Sequence, residues 1–468
     1  MSEDFEFDRP EDPTHSVNRY EDMLKKNDLY FFDNNTFESI IDFYLEKDEV
    51  DKALGVIELA ISQHSYEATF HLIKAEILIN KKLYEEALES IDQAEVLEPS
   101  IPEIMLLRFH VYIKMEEFEL FEDLIKKANS NKEESELDYP QLANICLRND
   151  ELNFAIYLYK KALEQYPDSE DFLFDLAFTY DTQENYEESA KIYSRLIDLT
   201  PYCPDSWYGL GNSYHYLGKY EEAIDAYDYT LLIDEAFSSA YYNKANSMVK
   251  LEKYEEAIPV YKQCLEFEAP NSEAYCAIGE CYEKLGSLKQ AREYYKKSVK
   301  IDPNMADAWY GIGTTLDYEG RYFEALHYFK KAVNIEATNP DFWFAVADMH
   351  FHLNNYQESE EGYRKVVELA PEDITAWLDF STFHYDLNDL EKAITVIDEA
   401  LAITPNHPDL LYRMVTYQFS KGSYNAAVNY LELALHSDPK KHEVIFEHLP
   451  ILKENKMILD IIKKYIGK

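Results

Sequence analysis

The chain has 468 residues, 46% of them hydrophobic and 15% aromatic, with only 12 Gly and 17 Pro, so apolar material to bury is ample and loop formers are few. Acidic residues outnumber basic ones 90 to 45, a formal net charge of −45, which opposes direct binding of nucleic-acid phosphates. No stretch approaches the roughly 20 apolar residues that a membrane-spanning helix needs, so no membrane insertion is expected.

Residues 1–33 come first and mix acids with aromatics. The opening MSEDFEFDRPEDP lacks a positive leader and an apolar core, so it does not make a secretory signal. This segment is expected to be an acidic tail, disordered up to about Val17, with a capping helix after it. It serves solubility or carries a docking motif.

From position 34 the sequence repeats itself with a period of 34 residues. One phase is aromatic: Tyr139, Trp207, Tyr241, Tyr275, Trp309, Trp343 and Trp377. A second is small, from Ala53 and Ala87 through Ala223, Ala257, Ala291 and Ala325 to Ser359, Ala393 and Ala427. A third runs Tyr159, Tyr193, Tyr227, Tyr261, Tyr295, Phe329, Tyr363, and a fourth places Pro99, Pro167, Pro201, Pro303, Pro371, Pro405 and Pro439 at unit ends. Twelve units fill positions 34 to 441. Within 204–237, Trp207, Leu210, Gly211 and Tyr214 share one helical face and Ala223, Tyr227 and Leu231 another. Gly218 between them suits the end of the first helix. Each unit therefore reads as a helical hairpin in which Gly211 and Ala223 allow close approach, while Trp207 and Tyr227 fill the gap to the next unit. A lone hairpin cannot bury that surface, whereas a stack can.

These residues resemble the tetratricopeptide repeat family, most clearly in PDSWYGLGNSYHYLGKYEEAIDAY and MADAWYGIGTTLDYEGRYFEALHYF. The resemblance covers about nine-tenths of the chain and implies an all-α, right-handed superhelical solenoid of about twelve hairpins, of the bacterial cytoplasmic type, acting as a protein-binding scaffold or adaptor. It weakens at 102–135, where Phe121 replaces the small residue and Glu133 the proline, so a bend is expected there. The expected divisions are the tail and cap 1–33, N-terminal repeats 34–135 with a degenerate third unit, a regular array 136–441, and capping helices 442–468.

The family places its binding groove along the first helices, whose outward positions are acidic: Asp171, Asp175, Asp181, Asp205, Glu273, Glu280, Glu283, Asp307, Asp317, Asp341, Asp348, Asp379, Asp386 and Asp409. Only Lys250, Lys284 and Arg413 oppose them. Interleaved are Phe174, Phe178, Tyr208, Tyr242, Tyr310, Phe344, Phe351, Tyr385, Tyr412 and Phe419, with Asn212, Asn243 and Asn246 able to hydrogen-bond an extended backbone. Carboxylates beside ring faces suit Lys and Arg, through ion pairs and cation–π contacts worth roughly 0.5 to 2 kcal/mol each. The expected partner is thus a basic or amphipathic protein segment. The Lys/Arg clamp by which related domains hold acidic chaperone tails has no counterpart on this face. Glu85/Glu86, Glu187/Glu188, Glu221/Glu222 and Glu255/Glu256 start the second helices, where carboxylates favour the helix dipole.

Other groupings read as structure. The five cysteines, Cys146, Cys203, Cys264, Cys276 and Cys281, are odd in number and scattered, as free thiols in a reducing compartment would be, and the expected location is the cytoplasm. Cys276 and Cys281 fall on different helix faces and suit packing rather than metal. His350 and His384 stand where other units carry Tyr, although Asp348 and His352 nearby offer a metal or acid–base alternative. The pairs Gly209/Gly211 and Gly311/Gly313 lie inside helices with no strand before them, so they are close-packing residues rather than a nucleotide loop. With no motif for catalysis, cofactor or metal, the chain is not expected to be an enzyme. At the end, 442–468 is apolar with Lys453, Lys456, Lys463, Lys464 and Lys468; it reads as a cap, and as the one basic cluster it is also a candidate for weak self-association with the acidic groove of a second copy. Two alternatives to the scaffold remain: a polyanion mimic that competes with nucleic acid for a basic protein, and the regulatory or targeting arm of a separately encoded enzyme.

Overall fold

The computed structural model describes residues 13–26, 28–99, 101–130, 139–148, 150–267 and 271–466. The acidic opening 1–12, the polar run 131–138 with Glu133, and Lys468 lie outside them. Among the described residues the regular elements are helices with no strand, and none of these helices is long and apolar enough to cross a membrane. The chain divides into two compact units, 1–201 and 202–468, each with its own packing.

The hairpin 204–233 shows how a unit forms. Pro204 opens helix Pro204–Tyr216, where its missing N–H is no loss and Asp205 faces the positive end of the dipole. The chain reverses at Gly218, whose φ is +73°, and helix Tyr220–Ile233 returns with Glu221 and Glu222 in its first turn. Gly211 makes the approach possible, since a Cβ there would sit 2.6 Å from the ring of Tyr227. The same reversal recurs every 34 residues at Asp48, Lys82, Glu116, Asp150, Glu184, Gly218, Glu252, Gly286, Gly320, Asn354, Asn388 and Gly422, all with positive φ. Only four of these twelve are glycine. The other eight hold φ between 57° and 64°, a conformation that disfavours a Cβ by roughly 1–2 kcal/mol, so the left-handed turn is imposed by the packing of the two helices rather than by the residue at the corner.

Successive hairpins are joined by the second-helix ring. In unit 202–468, Tyr295 lies between Gly279 of its own hairpin and Gly311 of the next; a Cβ on either would fall within 2.7 Å of the ring. Tyr227 and Tyr295 thus occupy the gap as expected, and Trp377 is buried in a cluster shared by successive hairpins, but Trp207 and Trp309 turn to rings of their own hairpins. Trp207 stacks on Tyr229 at 4.4 Å and Trp309 on Tyr328 at 5.9 Å, both partners from the same hairpin. Trp309, Trp343 and Trp377 each donate the indole N–H at 2.8 Å to a carbonyl six residues earlier, Pro303, Ala337 and Pro371. That bond holds the ring at the loop edge.

In unit 1–201, helix Pro13–Lys26 begins four residues before the expected end of the disordered tail and buries Val17, Tyr20 and Met23. The degenerate hairpin persists as helices Pro102–Lys114 and Phe118–Ser130. Phe121 stands in for the small residue by joining an aromatic cluster, 5.0 Å from Phe109 and 4.8 Å from Phe154. At the other end of the chain, Val444–His448 and Lys456–Ile466 cover the last hairpin, with Ile445, Leu452, Ile458 and Ile462 buried. Tyr412, expected on the outward face, is sealed beneath this cap and donates to the Asp438 carbonyl at 2.7 Å.

Two substitutions test this account by urea unfolding. Gly313→Ala would place a Cβ 2.6 Å from Phe329; the clash, about 1–3 kcal/mol, exceeds the gain in helix propensity of about 1 kcal/mol, so the midpoint falls. Glu252→Gly relieves a φ of 59° and raises the midpoint, by about 1 kcal/mol in stability.

Candidate functional site

The outward face of the first helices is built on the tyrosines of the second. In unit 202–468, Tyr227 donates to Asn212 Oδ1 at 2.8 Å, Tyr261 to Asn246 Oδ1 at 2.5 Å, and Tyr295 to Glu283 Oε2 at 2.8 Å. Asn243 Nδ2 links neighbouring hairpins by donating to Asn212 Oδ1 at 2.9 Å and to the Tyr208 hydroxyl at 3.0 Å. The side-chain oxygens of Asn212 and Asn246, read from sequence as acceptors for a ligand backbone, therefore already accept internal bonds. The cause is the 34-residue phase itself, which puts a phenol beneath each of them.

The face aromatics are half-buried rather than free. Tyr208 packs on Phe237 at 4.9 Å, Tyr242 meets Tyr261 edge-on at 5.6 Å, and Tyr310 leans on Phe329 and Phe342 at 5.2 and 5.1 Å. Burial, with Glu273 and Glu280 nearby, pushes the Tyr242 hydroxyl up to about 12. Burial also raises the carboxyls of Glu280 and Glu283; Asp307 adds to the shift at Glu280, whose side chain still reaches solvent.

The carboxylates and rings converge between helices Pro340–His352 and Ile374–Asp386. A hollow of about 200 Å³ is lined by Phe344, Phe351 and Phe383 together with Asp348, Asp379 and Asp386. Tyr363 and Thr382 complete it. Phe344 stands edge-on to Tyr363 at 5.7 Å and Phe351 to Phe383 at 5.8 Å. Burial raises the carboxyls of Asp348 and Asp379, against the opposing influence of His352 on the first and Arg413 on the second. Asp317 is raised by burial and by Asp348. His352 Nε2 lies 3.5 Å from Asp348 Oδ2 and its ring stacks on Tyr322 at 4.4 Å. Arg413 already seats a guanidinium at the edge of this region, donating to Thr382 Oγ1 at 2.6 Å with its charge 5.9 Å from the Tyr417 ring. Tyr385, stacked on Tyr417 at 5.2 Å, does not line the hollow.

Phe174, Asp175, Phe178 and Asp181 belong to the other compact unit. Phe174 packs against Tyr193 at 6.0 Å. Asp175, raised by burial, accepts a hydrogen bond from Tyr159, and Asp181 accepts one from Ser189. Phe178, 55% exposed, is the most open of the rings expected on the face.

Sequence reasoning missed Tyr363 and Phe383 because their phases otherwise carry core residues. The available signal was size: Phe383 stands where other hairpins have Ser213, Ser247, Cys281 and Thr315. Of the candidate His/Asp cluster, Asp348 and His352 come together, while His350 is buried on the opposite side of the helix beside Asn355, with 3.3 Å between His350 Nδ1 and Asn355 Nδ2. Among the described residues no group of three His, Cys, Asp or Glu is placed to hold a metal. Burial pushes the Cys281 thiol up to about 12, which removes it as a nucleophile at neutral pH.

The fold is that of a helical-repeat protein-interaction scaffold. Models of the tetratricopeptide repeat match 147–210, 204–237, 238–271, 272–305, 310–374 and 374–407, and the chain belongs to the tetratricopeptide repeat family. Among solved structures it is similar to MamA, at 23% identity over 35% of this chain and 95% of that one with a TM-score of 0.33. It is also similar to YrrB, described as a TPR protein with an unusual peptide-binding site, at 23% identity over 40% of this chain and 96% of that one with a TM-score of 0.34. A TPR repeat-containing protein from Cytophaga hutchinsonii aligns at 18% identity over 52% of this chain and 99% of its C-terminal part, with a TM-score of 0.43. No curated protein matches the chain.

A carboxyl whose folded pKa lies above its unfolded value favours folding while protonated and loses that contribution as pH rises through the raised value. Ionised Asp348 and Asp379 therefore weaken the fold near neutrality. The double variant Asp348→Asn/Asp379→Asn should have a higher urea midpoint than the wild type at pH 7, and the difference should vanish as pH falls to about 4, the ordinary carboxylate range.

Proposed function

We propose that the first-helix face of 340–386 captures a lysine or arginine of a basic, extended or amphipathic segment in a partner protein. The observation that carries this reading is the hollow in which Asp348, Asp379 and Asp386 meet Phe344, Phe351 and Phe383. Three carboxylates provide the counter-charge and the rings provide flat faces for the alkyl stem or guanidinium. Arg413 exemplifies the same chemistry inside the chain, between a hydroxyl and a tyrosine ring. Asn243, Tyr242, Glu280, Glu283, Tyr310 and Asp317 extend the acidic, aromatic surface along neighbouring hairpins, and Phe174, Asp175, Phe178 and Asp181 provide a comparable patch on the other unit. The fold is that of a scaffold, and no reaction is proposed for it. That none of the five cysteines forms a disulfide favours a reducing, cytoplasmic setting.

The alternative, a polyanion mimic, draws on the net charge of −45. Against it, the carboxylates gather with rings in a hollow instead of being spaced like phosphates. Fluorescence anisotropy with an arginine-rich peptide separates the two. Asp348→Asn/Asp379→Asn and Phe344→Ala/Phe351→Ala should each weaken binding by about ten-fold or more, consistent with roughly 0.5–2 kcal/mol per cation–ring contact, and part of the affinity should survive in high salt. Equal affinities for wild type and phenylalanine variants, with complete loss in salt, would favour the mimic.

A further inference from the structure

A second hollow, larger than the first, lies on the opposite side of helix Pro340–His352. It has a volume of about 680 Å³, with Trp343, Val346 and His350 as its base, Lys330 of the preceding hairpin on one side and helix Tyr356–Leu369 on the other. The repeat explains why it is open. In each of the two preceding hairpins the first-helix aromatic is covered by a tyrosine of the second helix: Tyr294 lies 6.2 Å from Tyr275 at 34°, and Tyr328 stacks on Trp309 at 5.9 Å and 20°. Thirty-four residues after Tyr328 the chain has Gly362. No ring stacks on Trp343 among the described residues. Nor can the gap be closed from position 362, because a Cβ there would lie 2.8 Å from the Cβ of Ala347 and 3.1 Å from its Cα.

We propose that this hollow is a second docking site, which takes an aromatic side chain of a partner polypeptide against the indole of Trp343. The neighbouring hairpins show the recognised group directly, a six-membered ring laid on the first-helix aromatic. Charge does not select the occupant. Arg364 is paired with Glu399, Lys365 with Glu368 at 2.6 Å and Glu360 with Lys392 at 3.0 Å, so the rim carries both signs and much of it is already neutralised. The volume exceeds that of a single ring and leaves room for the main chain on either side of it, which suits a side chain delivered by a polypeptide. This site is independent of the acidic hollow, from which it is separated by the helix itself.

The test uses the full chain and acetyl-Ala-(para-fluorophenylalanine)-Ala-amide observed by fluorine NMR. Saturable line broadening is expected, with displacement by the unlabelled phenylalanine peptide and about five-fold poorer displacement by the leucine peptide, the range that stacked ring pairs command. Trp343→Leu should weaken binding about five-fold and Trp343→Phe should retain it, with Asp348→Asn/Asp379→Asn indistinguishable from wild type. Should Trp343→Leu lower the helical content, Gln357→Trp, at an exposed lining position, serves as the blocking variant and should also weaken binding. Equal displacement by the leucine peptide, or unchanged affinity in Trp343→Leu or Gln357→Trp, would overturn the proposal.

Discussion

The seating of a second-helix ring on a first-helix glycine or alanine is the constraint on which the rest of the structure depends. Tyr227 over Gly211, Tyr295 between Gly279 and Gly311, and Phe329 over Gly313 leave no room for a single added carbon. This contact sets the distance between the two helices of a hairpin, and at Tyr295 it also sets the distance to the next hairpin. It recurs in phase, so stability accumulates as a sum of neighbouring interfaces rather than from one central core. The corner residues follow from it, since the helices are brought so close that the chain must reverse through a left-handed residue whether or not that residue is glycine.

The same contact determines what the outward face can be. A tyrosine seated on a glycine or alanine carries its hydroxyl through the hairpin to the far side, where it meets Asn212, Asn246 or Glu283. The polar residues of the face are thereby oriented from beneath. Where the ring is Tyr363 and the residues above it are Asp348, Asp379 and Asp386, the phenol sits among carboxylates and burial raises its pKa, as these acids do. Core and recognition surface are two ends of one side chain.

Much of this was legible in the sequence because the period is exact to the residue and the large and small positions alternate in fixed phase; Gly211, Tyr227 and the glutamate pairs could be placed from spacing alone. Trp207 and Trp309 misled, because size suggested a gap-filler while each lies against a tyrosine of its own hairpin. Tyr412 misled because its phase carries partly exposed rings at Tyr208, Tyr242, Tyr310 and Phe344, whereas in the last hairpin the cap lies over it. The acid-rich composition of the first helices was readable; the convergence of Asp348 and Asp379 on Phe383 was not, since it depends on a ring at a phase where four earlier hairpins carry Ser213, Ser247, Cys281 and Thr315. Gly362 was invisible for the converse reason, as an omission in a phase where other hairpins also vary.

A face that keeps several half-buried carboxylates without enough internal cations is under electrostatic tension. Arg413 and His352 relieve part of it, and a cationic partner would relieve more. Occupancy would then determine how often hairpins 340–369 and 374–403 open, and with it their exposure to proteases. For such a scaffold, the lifetime of the chain in a cell would depend on the company it keeps.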